Sequence, residues 1–364
     1  MWPRMTEAAC AGQPARVLMI GAGRRAKNNF LPVLTYLETQ GAVEIVGVHA
    51  RTAANLYPVA EHWRIPGFTS TSEIDFSKVE AVAISVPPAQ NGPVLQSLEP
   101  HASRLTILID TPVAFSRGEL ALTDRLLKKF KRVFVAEDYM NFPPFELMRM
   151  AVKGGLVGNV MGVTLTNIGY MYHGLALVRS FCGFGRARST WKKSAGTYGT
   201  IVGYNFANGF KGIVIGPYRR ESTSGITVEG TRGILSDFPG DKAFEQGAGR
   251  SIYILKYDRA EEGYITRVWL DGAGPEYAID LPQLGAMYNM DIVDRSDLNL
   301  LRGCGLMRVF QALNEVENIN HSYGRANAFY DSFAPRLAAK GLLAADPLTW
   351  IGSDAVSLLR AVSR

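Results

Sequence analysis

The stretch Val17-Leu18-Met19-Ile20-Gly21-Ala22-Gly23-Arg24-Arg25-Ala26 decides the fold of the amino-terminal half. Its four apolar residues predict a strand buried on both faces, and the stretch after the glycines has helical character. Gly21 permits a tight turn, Gly23 lets backbone amides approach a pyrophosphate, and Ala26 lets helix and strand pack closely. The helix that follows aims its amino terminus at that phosphate. We therefore expect a dinucleotide-binding turn formed by Gly21, Gly23, Arg24, Arg25 and Ala26.

The residues after this turn alternate short Val- and Ile-rich runs with stretches of helical character. The predicted strands are Val17–Ile20, Val43–Val48, Ala81–Val86, Thr106–Ile109 and Arg132–Ala136, and the helices include Leu31–Thr39, Ala53–Trp63 and Glu119–Lys129. This alternation predicts a doubly wound parallel sheet, a Rossmann domain over residues 15–140, after a flexible leader at 1–14. Pro32 lies too deep for a first helical turn, so we expect it to kink or shorten its helix.

The pattern changes after position 140. A helix is predicted at Phe145–Lys153, followed by strand-like runs separated by turn residues: Val160–Ile168, Gly199–Phe206, Gly212–Ile215, Gly225–Gly230, Ile252–Tyr257 and Ile265–Leu270. Helical periodicity returns at Asp297–Asn318, Ala326–Lys340 and Ser353–Val362. Residues 141–364 therefore read as an α+β domain with a mostly antiparallel open sheet and carboxy-terminal helices.

Composition excludes several classes of protein. With 47% apolar and 20% charged residues over 364 positions, the chain is globular rather than disordered. No apolar run is long enough to cross a bilayer, and three scattered cysteines favour a reducing, cytoplasmic location. The five histidines lack metal-ligand spacing, so no metal site is expected. The net charge is +6, and its densest cluster, Lys128–Arg132, reads as a solvated helix end rather than a nucleic-acid surface.

The end of the second strand bears on the choice of cofactor. An NAD site usually has Asp or Glu here, about 20 residues past the glycines, to bind the ribose hydroxyls. This strand ends in Val48-His49-Ala50-Arg51-Thr52 and carries no carboxylate. Arg51 can pair with a 2′-phosphate and Thr52 can donate a hydrogen bond to it, which favours NADP, with NAD possible. The alternative is that Arg51 is simply a solvated loop residue.

The chain also resembles the Gfo/Idh/MocA family, named after glucose–fructose oxidoreductase, inositol dehydrogenase and a rhizopine catabolism protein. The resemblance runs through nearly the whole chain and rests on the glycine loop, Val79–Pro88, Asp110-Thr111-Pro112, Gly154–Gly158, Gly230–Gly233 and the carboxy-terminal helices. It implies an NAD(P)-dependent oxidoreductase acting on a small molecule. It also implies a second domain whose open sheet forms a homo-oligomer, a dimer or a tetramer.

The residues that the resemblance assigns to catalysis depart from the family pattern. The family's Glu-Lys-Pro motif corresponds to Asp110-Thr111-Pro112, so Thr111 replaces a lysine that contacts substrate and cofactor. The family's Asp, four residues before a His, corresponds to Gly169, with His173 in the histidine position. The family's histidine after the Pro-Pro strand corresponds to Asn91. The further cofactor contacts expected are Val86, Pro87, Asn91 and Glu137.

Proton transfer in this chain would then rest on a non-standard set. His173 is a candidate because imidazole is the commonest acid–base group in proteins, and Tyr139 is a candidate because it follows the last Rossmann strand, where ligands of parallel sheets collect. The Thr111 hydroxyl and the Asp110 carboxylate complete the candidates. Three of them have a structural alternative: His173 as a hydrogen-bonded buried histidine, Tyr139 as a packing residue and Asp110 as a carboxylate that caps the next turn.

Three functions follow from these residues. The leading hypothesis is an NADP-dependent reductase of a carbonyl, imine or conjugated acceptor, since hydride transfer belongs to the nicotinamide and the protein manages one proton. The second is a catalytically silent NAD(P)-binding regulatory or scaffold protein. The third is a sugar or cyclitol dehydrogenase in which Lys192, of the pair Lys192-Lys193, supplies the missing cation.

Overall fold

The computed structural model describes residues 13–194, 196, 199–216, 225–237, 250–282, 284, 296–313 and 319–339. These residues form two units. The first contains the described residues up to Pro143 together with Asp258–Arg267 and Asp280–Arg325, and the second contains the remainder. The predicted boundary between 140 and 141 stays a prediction. Most of the predicted leader at 1–14 and the predicted helix Ser353–Val362 lie outside the described residues.

The strands alternate with helices in the first half and follow one another in the second. The strands are β1 (Ala15–Ile20), β2 (Val43–His49), β3 (Gly67–Phe68), β4 (Ala81–Ile84), β5 (Thr106–Asp110), β6 (Arg132–Ala136), β7 (Val160–Thr166), β8 (Ala187–Ser194), β9 (Thr200–Phe206), β10 (Lys211–Ile215), β11 (Gly225–Gly230), β12 (Gly233–Ser236), β13 (Ser251–Arg259), β14 (Ile265–Asp271) and β15 (Ala278–Asp280). The helices are α1 (Leu31–Thr39), α2 (Ala53–Trp63), α3 (Pro88–Leu98), α4 (Arg117–Leu127), α5 (Pro143–Lys153), α6 (Met171–Ser180), α7 (Asp297–Gln311), α8 (Ile319–Ser322) and α9 (Arg325–Ala339).

The first unit contains a six-stranded sheet in the order β3-β2-β1-β4-β5-β6. Every neighbouring pair in it is parallel, which confirms the predicted Rossmann domain. Val17–Ile20 of β1 and all of β4 are buried because both faces of the sheet are covered there, as their continuous apolar sequences indicate. The strand order reverses between β1 and β4, and ligands of such sheets bind at this switch point.

The helix after the glycine turn is irregular where Pro32 lies. Helical backbone begins at Arg24 and continues to Thr39, with Ala26–Phe30 as a π-helix and Leu31–Thr39 as regular α-helix. Pro32 therefore lies inside a longer helical run, just after its π-helical part. Because proline lacks a backbone N–H, it cannot donate a helical hydrogen bond at this position, which agrees with an irregular helix here.

The second unit is built on a nine-stranded sheet in the order β15-β14-β13-β12-β11-β7-β10-β9-β8. Both parallel and antiparallel pairs occur, and the antiparallel ones predominate among the pairs described, as predicted. Helix α6 packs on β7 and β10. The fit is close because a glycine stands on each side: Gly174 of α6 faces Val214, and Gly212 of β10 faces Val178. In the part of the chain that the structure describes, no helix is long and apolar enough to cross a membrane.

Candidate dinucleotide-binding site

The glycine turn is held against the end of β4. Gly21 has φ +115°, its amide donates to the His49 carbonyl at 2.9 Å, and a Cβ at this position would overlap the Ser85 carbonyl oxygen. Only glycine fits such a conformation and approach. Gly23 is the opposite case, since a Cβ there would have no atom within 4 Å. The turn is therefore rigid at Gly21 and open at Gly23, as a phosphate-binding loop requires.

A cleft of about 600 Å³ opens at this turn. Its walls come from the carboxyl ends of four strands and from one face of α3. The lining residues are Ile20–Gly23, His49–Thr52, Asn55, Thr69–Thr71, Ser85–Pro87, Gln90, Pro93, Val94 and Ser97. A cleft of this size at the switch point fits a nucleotide, because ligands in such sheets bind outside the carboxyl ends of the strands.

The lining of this cleft contains a cation and hydroxyls but no carboxylate among the described residues. Arg51 and Thr52 are exposed at its edge, and Ser70 and Thr71 line it as well. The nearby carboxylate of Glu73 is engaged by the Thr69 hydroxyl, at 3.0 Å. This arrangement suits an anionic group better than it suits free ribose hydroxyls.

His49 is a lining residue that the sequence did not single out. Its side chain is buried at the end of β2, and its Nδ1 has no hydrogen-bond partner among the described residues. Burial lowers the pKa of His49, and this outweighs the opposing effects of the Thr69 backbone and Glu73. A neutral imidazole therefore faces the cleft at pH 7.

Asp110, at the end of β5, accepts hydrogen bonds from several directions. Its Oδ1 accepts from the Thr111 amide at 3.0 Å and its Oδ2 from the Ser85 hydroxyl at 2.9 Å. The Arg25 guanidinium engages both oxygens, with Nε at 3.2 Å and Nη2 at 3.3 Å. A carboxylate occupied in this way fits the structural alternative, capping of the next turn, and leaves little capacity for proton transfer.

The two arginines of the glycine turn lie outside the large cleft. Arg24 is exposed, whereas Arg25 turns inward and pairs with Asp110 and with Asp138, whose Oδ2 is 2.9 Å from its Nη2. Both arginines line a smaller hollow of about 180 Å³ beside the amino terminus of α7.

The large cleft brings together six of the predicted residues of the first unit: Gly21, Gly23, Arg51, Thr52, Val86 and Pro87. Ala26 is completely buried beneath the turn.

Two other expected residues contact or form the turn after β5: Asn91 belongs to α3, and Thr111 belongs to the turn itself. Asn91 is buried and donates to the Val113 carbonyl at 2.9 Å, so its side chain supports this turn rather than lining the cleft. Thr111 precedes a cis proline, and its hydroxyl is buried without a hydrogen-bond partner in the described chain. Such an orphaned hydroxyl is costly unless a ligand or water satisfies it.

The segment after β6 is buried. Glu137 is inaccessible to solvent, and its Oε1 accepts from the Tyr139 amide at 3.2 Å. Tyr139 begins a short 3₁₀ turn, and its ring packs against Phe142 with centroids 4.8 Å apart. These contacts are typical of packing residues. The cofactor contact predicted for Glu137 and the proton donation predicted for Tyr139 stay predictions.

His173 belongs to the second unit and lies in the first turn of α6. It is buried, and its ring contacts that of Tyr172 with centroids 4.2 Å apart. Gly169, which stands where the resemblance would place an Asp, faces open space, since a Cβ there would meet no atom within 4 Å. Lys192 and Lys193 are exposed on the edge strand β8, as solvated lysines are, so the dehydrogenase hypothesis gains no support from them.

Several lining residues were missed because the elements that carry them gave no signal. Thr69, Ser70 and Thr71 follow a two-residue strand, and Gln90, Pro93, Val94 and Ser97 lie on a helix with two prolines. Ser85 directly precedes the predicted Val86, and His49 ends β2 two residues before Arg51, so the rule that ligands lie at strand ends would have included both.

The parallel sheet, its strand order and the glycine turn define a Rossmann fold. Residues 15–137 match the family model described as oxidoreductase family, NAD-binding Rossmann fold, which is that of Gfo/Idh/MocA. Over these residues the match agrees with the resemblance drawn from the sequence. No curated protein matches the chain by sequence.

Solved structures extend the likeness in fold to both units. An oxidoreductase from Thermotoga maritima is 17% identical with TM-score 0.62, covering 91% of this chain and 97% of its own. An oxidoreductase from Agrobacterium radiobacter, in complex with NAD+, L-tartaric acid and magnesium, is 13% identical with TM-score 0.64, covering 90% and 96%. A levoglucosan dehydrogenase, in complex with NADH and levoglucosan, is 14% identical with TM-score 0.61, covering 90% and 98%.

Proposed function

We propose that this protein is an NADP-dependent oxidoreductase that reduces a carbonyl, imine or conjugated acceptor of a small organic substrate. The observation that carries the proposal is the lining of the cleft, which pairs Arg51 and Thr52 with hydroxyl groups and contains no described carboxylate. An NAD site would use a carboxylate there, and a 2′-phosphate needs a cation and donors.

The residues of the first unit fit such a cofactor. The amides at the open Gly23 and the helix amino terminus that follows would hold the pyrophosphate, and Arg51, Thr52, Ser70 and Thr71 would hold the 2′-phosphate. When bound, the nicotinamide supplies the hydride. The protein's own residues would orient the electrophilic carbon of the acceptor toward the nicotinamide and would supply a proton to the heteroatom, or to the α-carbon of a conjugated acceptor.

Proton delivery is assigned to His173 and Tyr139 as the candidate donors. A donor must lie within hydrogen-bond reach of the reacting group, and its supply of a proton is worth about 10²–10⁴-fold in rate. The orphaned Thr111 hydroxyl is proposed to bind substrate or cofactor, which would satisfy its missing hydrogen bond. Asp110 is proposed to position its neighbours instead of transferring a proton.

The second candidate is a protein that binds NADP(H) without turning it over. The observation in its favour is that Asp110 is fully engaged and that threonine stands at position 111, so no free lysine or carboxylate follows β5. The two candidates separate when bound NADPH is mixed with a panel of carbonyl, imine and conjugated acceptors. Loss of NADPH absorbance supports the reductase, and stable absorbance across the panel supports the silent binding protein.

The cofactor assignment is tested with one variant and one matched control. Arg51→Ala should weaken NADPH about 10–100-fold, the worth of one charge-assisted contact, and change NADH by less than about threefold. Arg125→Ala removes the same charge from the exposed face of α4, outside the cleft, and should change neither. An equal loss for both cofactors in Arg51→Ala, or no loss, would refute the 2′-phosphate assignment.

We further propose a cytoplasmic homo-oligomer, a dimer or tetramer, assembled through the second unit's sheet. Val214 of β10 points to the buried face, beneath α6, so the alternate residues Ile213 and Ile215 point to the opposite face, where they are half-buried. Trp191 on the edge strand lies across from Gly203, in the same row as Ile213. An apolar row on one face of a sheet favours association.

A further inference from the structure

A cluster of four charged side chains lies at the ends of β5 and β6, apart from the lining of the large cleft. Arg25 pairs with Asp110 and Asp138, and Arg302 of α7 lies 4.0 Å from the Asp138 carboxylate. The carboxylates of Asp110 and Asp138 are 13% and 2% exposed. The two positive and two negative charges balance, so the side chains interact with one another more than with bulk solvent.

The cluster and the large cleft lie at the ends of different strands of the same sheet. The large cleft lies at the ends of β1, β2, β3 and β4, whereas Asp110 ends β5 and Asp138 follows β6. A dinucleotide on such a sheet spans both halves, with one mononucleotide on each side of the switch point. The large cleft therefore suits the adenosine half, and the cluster lies at the strand ends of the nicotinamide half.

Arg25 connects this half to the glycine turn. It is the second residue after Gly23, in the first turn of the helix that opens at the turn. The Asp110 oxygens that it engages also accept from Ser85, whose carbonyl abuts Gly21. A single carboxylate thus links the glycine turn, the end of β4 and the end of β5.

The orientation of Arg25 is fixed from the opposite side as well. Its Nη1 donates to the Asn29 side chain at 2.9 Å, and Asn29, on the π-helix, donates in turn to Asn299 of α7 at 3.2 Å. The backbone of Gly305 lies against Asp138, where a Cβ would overlap the Asp138 carbonyl oxygen. π-Helical turns of this kind often occur at functional sites.

We propose that Arg25 is a positioning residue for the dinucleotide and not a phosphate ligand. It holds the glycine-turn helix against the ends of β5 and β6, and thereby fixes the nicotinamide half of the site. The proposal rests on the proposed function, since it requires that the protein bind NADP(H). It corrects the simplest use of the sequence pattern, in which an arginine beside the glycines contacts phosphate directly.

The test compares the whole cofactor with a fragment that reaches only the adenosine half. Dissociation constants of NADPH and of adenosine 2′,5′-bisphosphate are measured for the full chain and for Arg25→Met, Arg25→Lys and Lys27→Met. Lys27→Met removes one charge from the same helix and serves as the control. Arg25→Met should weaken NADPH about tenfold or more and the fragment less than about twofold.

Arg25→Lys keeps the charge but loses the bidentate geometry, so it should weaken NADPH selectively with an unchanged circular dichroism spectrum. It keeps the test decisive if Arg25→Met fails to fold. Equal weakening of NADPH and fragment, or an unchanged NADPH affinity in Arg25→Lys, would overturn the proposal. A wild-type chain that binds neither ligand would instead overturn the proposed function.

Discussion

A Cβ on Gly21 would overlap the carbonyl oxygen of Ser85, so the turn after β1 and the end of β4 leave no room for a methyl group between them. This close approach lies at the switch point of the sheet, between the ends of β1 and β4. Gly23, two residues later, faces open space. The two glycines of one motif therefore differ in their surroundings, and we predict that Gly21 serves folding and that Gly23 serves ligand approach.

Substitution of the two glycines by alanine should separate these roles. Gly21→Ala combines a positive φ with steric overlap and should lower the free energy of unfolding by about 2–4 kcal/mol. Gly23→Ala should leave the free energy of unfolding nearly unchanged and weaken NADPH, because the new methyl group obstructs approach to the backbone. Urea unfolding and cofactor titration of both variants give the answer. Equal stability losses would mean that Gly23 is structural as well.

The burial of His49 predicts how stability depends on pH. Its pKa is lower in the folded chain than in the unfolded chain, so the unfolded state binds more protons as the pH falls below about 6.5. The contribution of neutral His49 is present above that pH and is lost as the pH falls toward the folded pKa. His49→Gln should therefore show a shallower loss of stability between pH 7.5 and pH 5 than the wild type. The free energy of unfolding is measured by urea denaturation at both pH values. An equal loss in the wild type and in His49→Gln would contradict this expectation.

The candidate proton donors make different predictions from binding residues. His173→Ala or Tyr139→Phe, whichever removes the donor, should lower the turnover of NADPH about 100-fold or more with any acceptor that supports reaction. The affinity for NADPH should change less than about threefold. His101→Ala, a partly exposed histidine of the first unit, is the control. A variant with unaltered turnover is removed from the donor set.

The stability of the second unit should depend on Arg179. Its guanidinium, at the carboxyl end of α6, lies 2.7 Å from the Asp331 carboxylate of α9, and both side chains are 1% exposed. Arg179→Met removes the cation that faces a buried carboxylate and should lower the free energy of unfolding by about 3–5 kcal/mol. Arg188→Met, on an exposed position of β8, should have little effect. A loss below about 1 kcal/mol in Arg179→Met would show that the pair contributes little net stability.

The proposed oligomer is tested at the apolar face of the sheet. Ile213→Glu places a charge on that face and should reduce the mass measured by light scattering to that of one chain. Leu298→Glu makes the same kind of change at an exposed position on α7, and it should leave the mass unchanged. A wild-type chain that is already monomeric would contradict the proposal directly.

The parallel sheet was predictable because its strands are continuous apolar runs, as in Val17–Ile20 and Ala81–Ile84, and glycine or proline punctuates them. Helix α2 was predicted to the residue. Helix α3 was not, because Pro88, Gly92 and Pro93 suppress its helical signal, although Pro88 lies in the first turn where proline is tolerated. Helix α6 was missed for a related reason, since Gly174 serves tertiary packing against Val214 and not local propensity.

The candidate site likewise has a part that the sequence predicts and a part that only the fold determines. The positions of Gly21, Gly23, Arg51 and Thr52 around one cleft follow from the strand-end rule, which sequence order alone can apply. The direction of the Arg25 side chain does not, because it depends on Asp110 and Asp138, which are 85 and 113 residues away along the chain. Such long-range pairs exist only once the strand order of the sheet is known.

The most direct test of the central claim is the ratio of dissociation constants for NADPH and NADH, measured by calorimetry on the full chain. With Arg51 and Thr52 at the cleft edge and no described carboxylate in its lining, NADPH should bind at least about tenfold more tightly. Equal affinities, or tighter binding of NADH, would contradict the account.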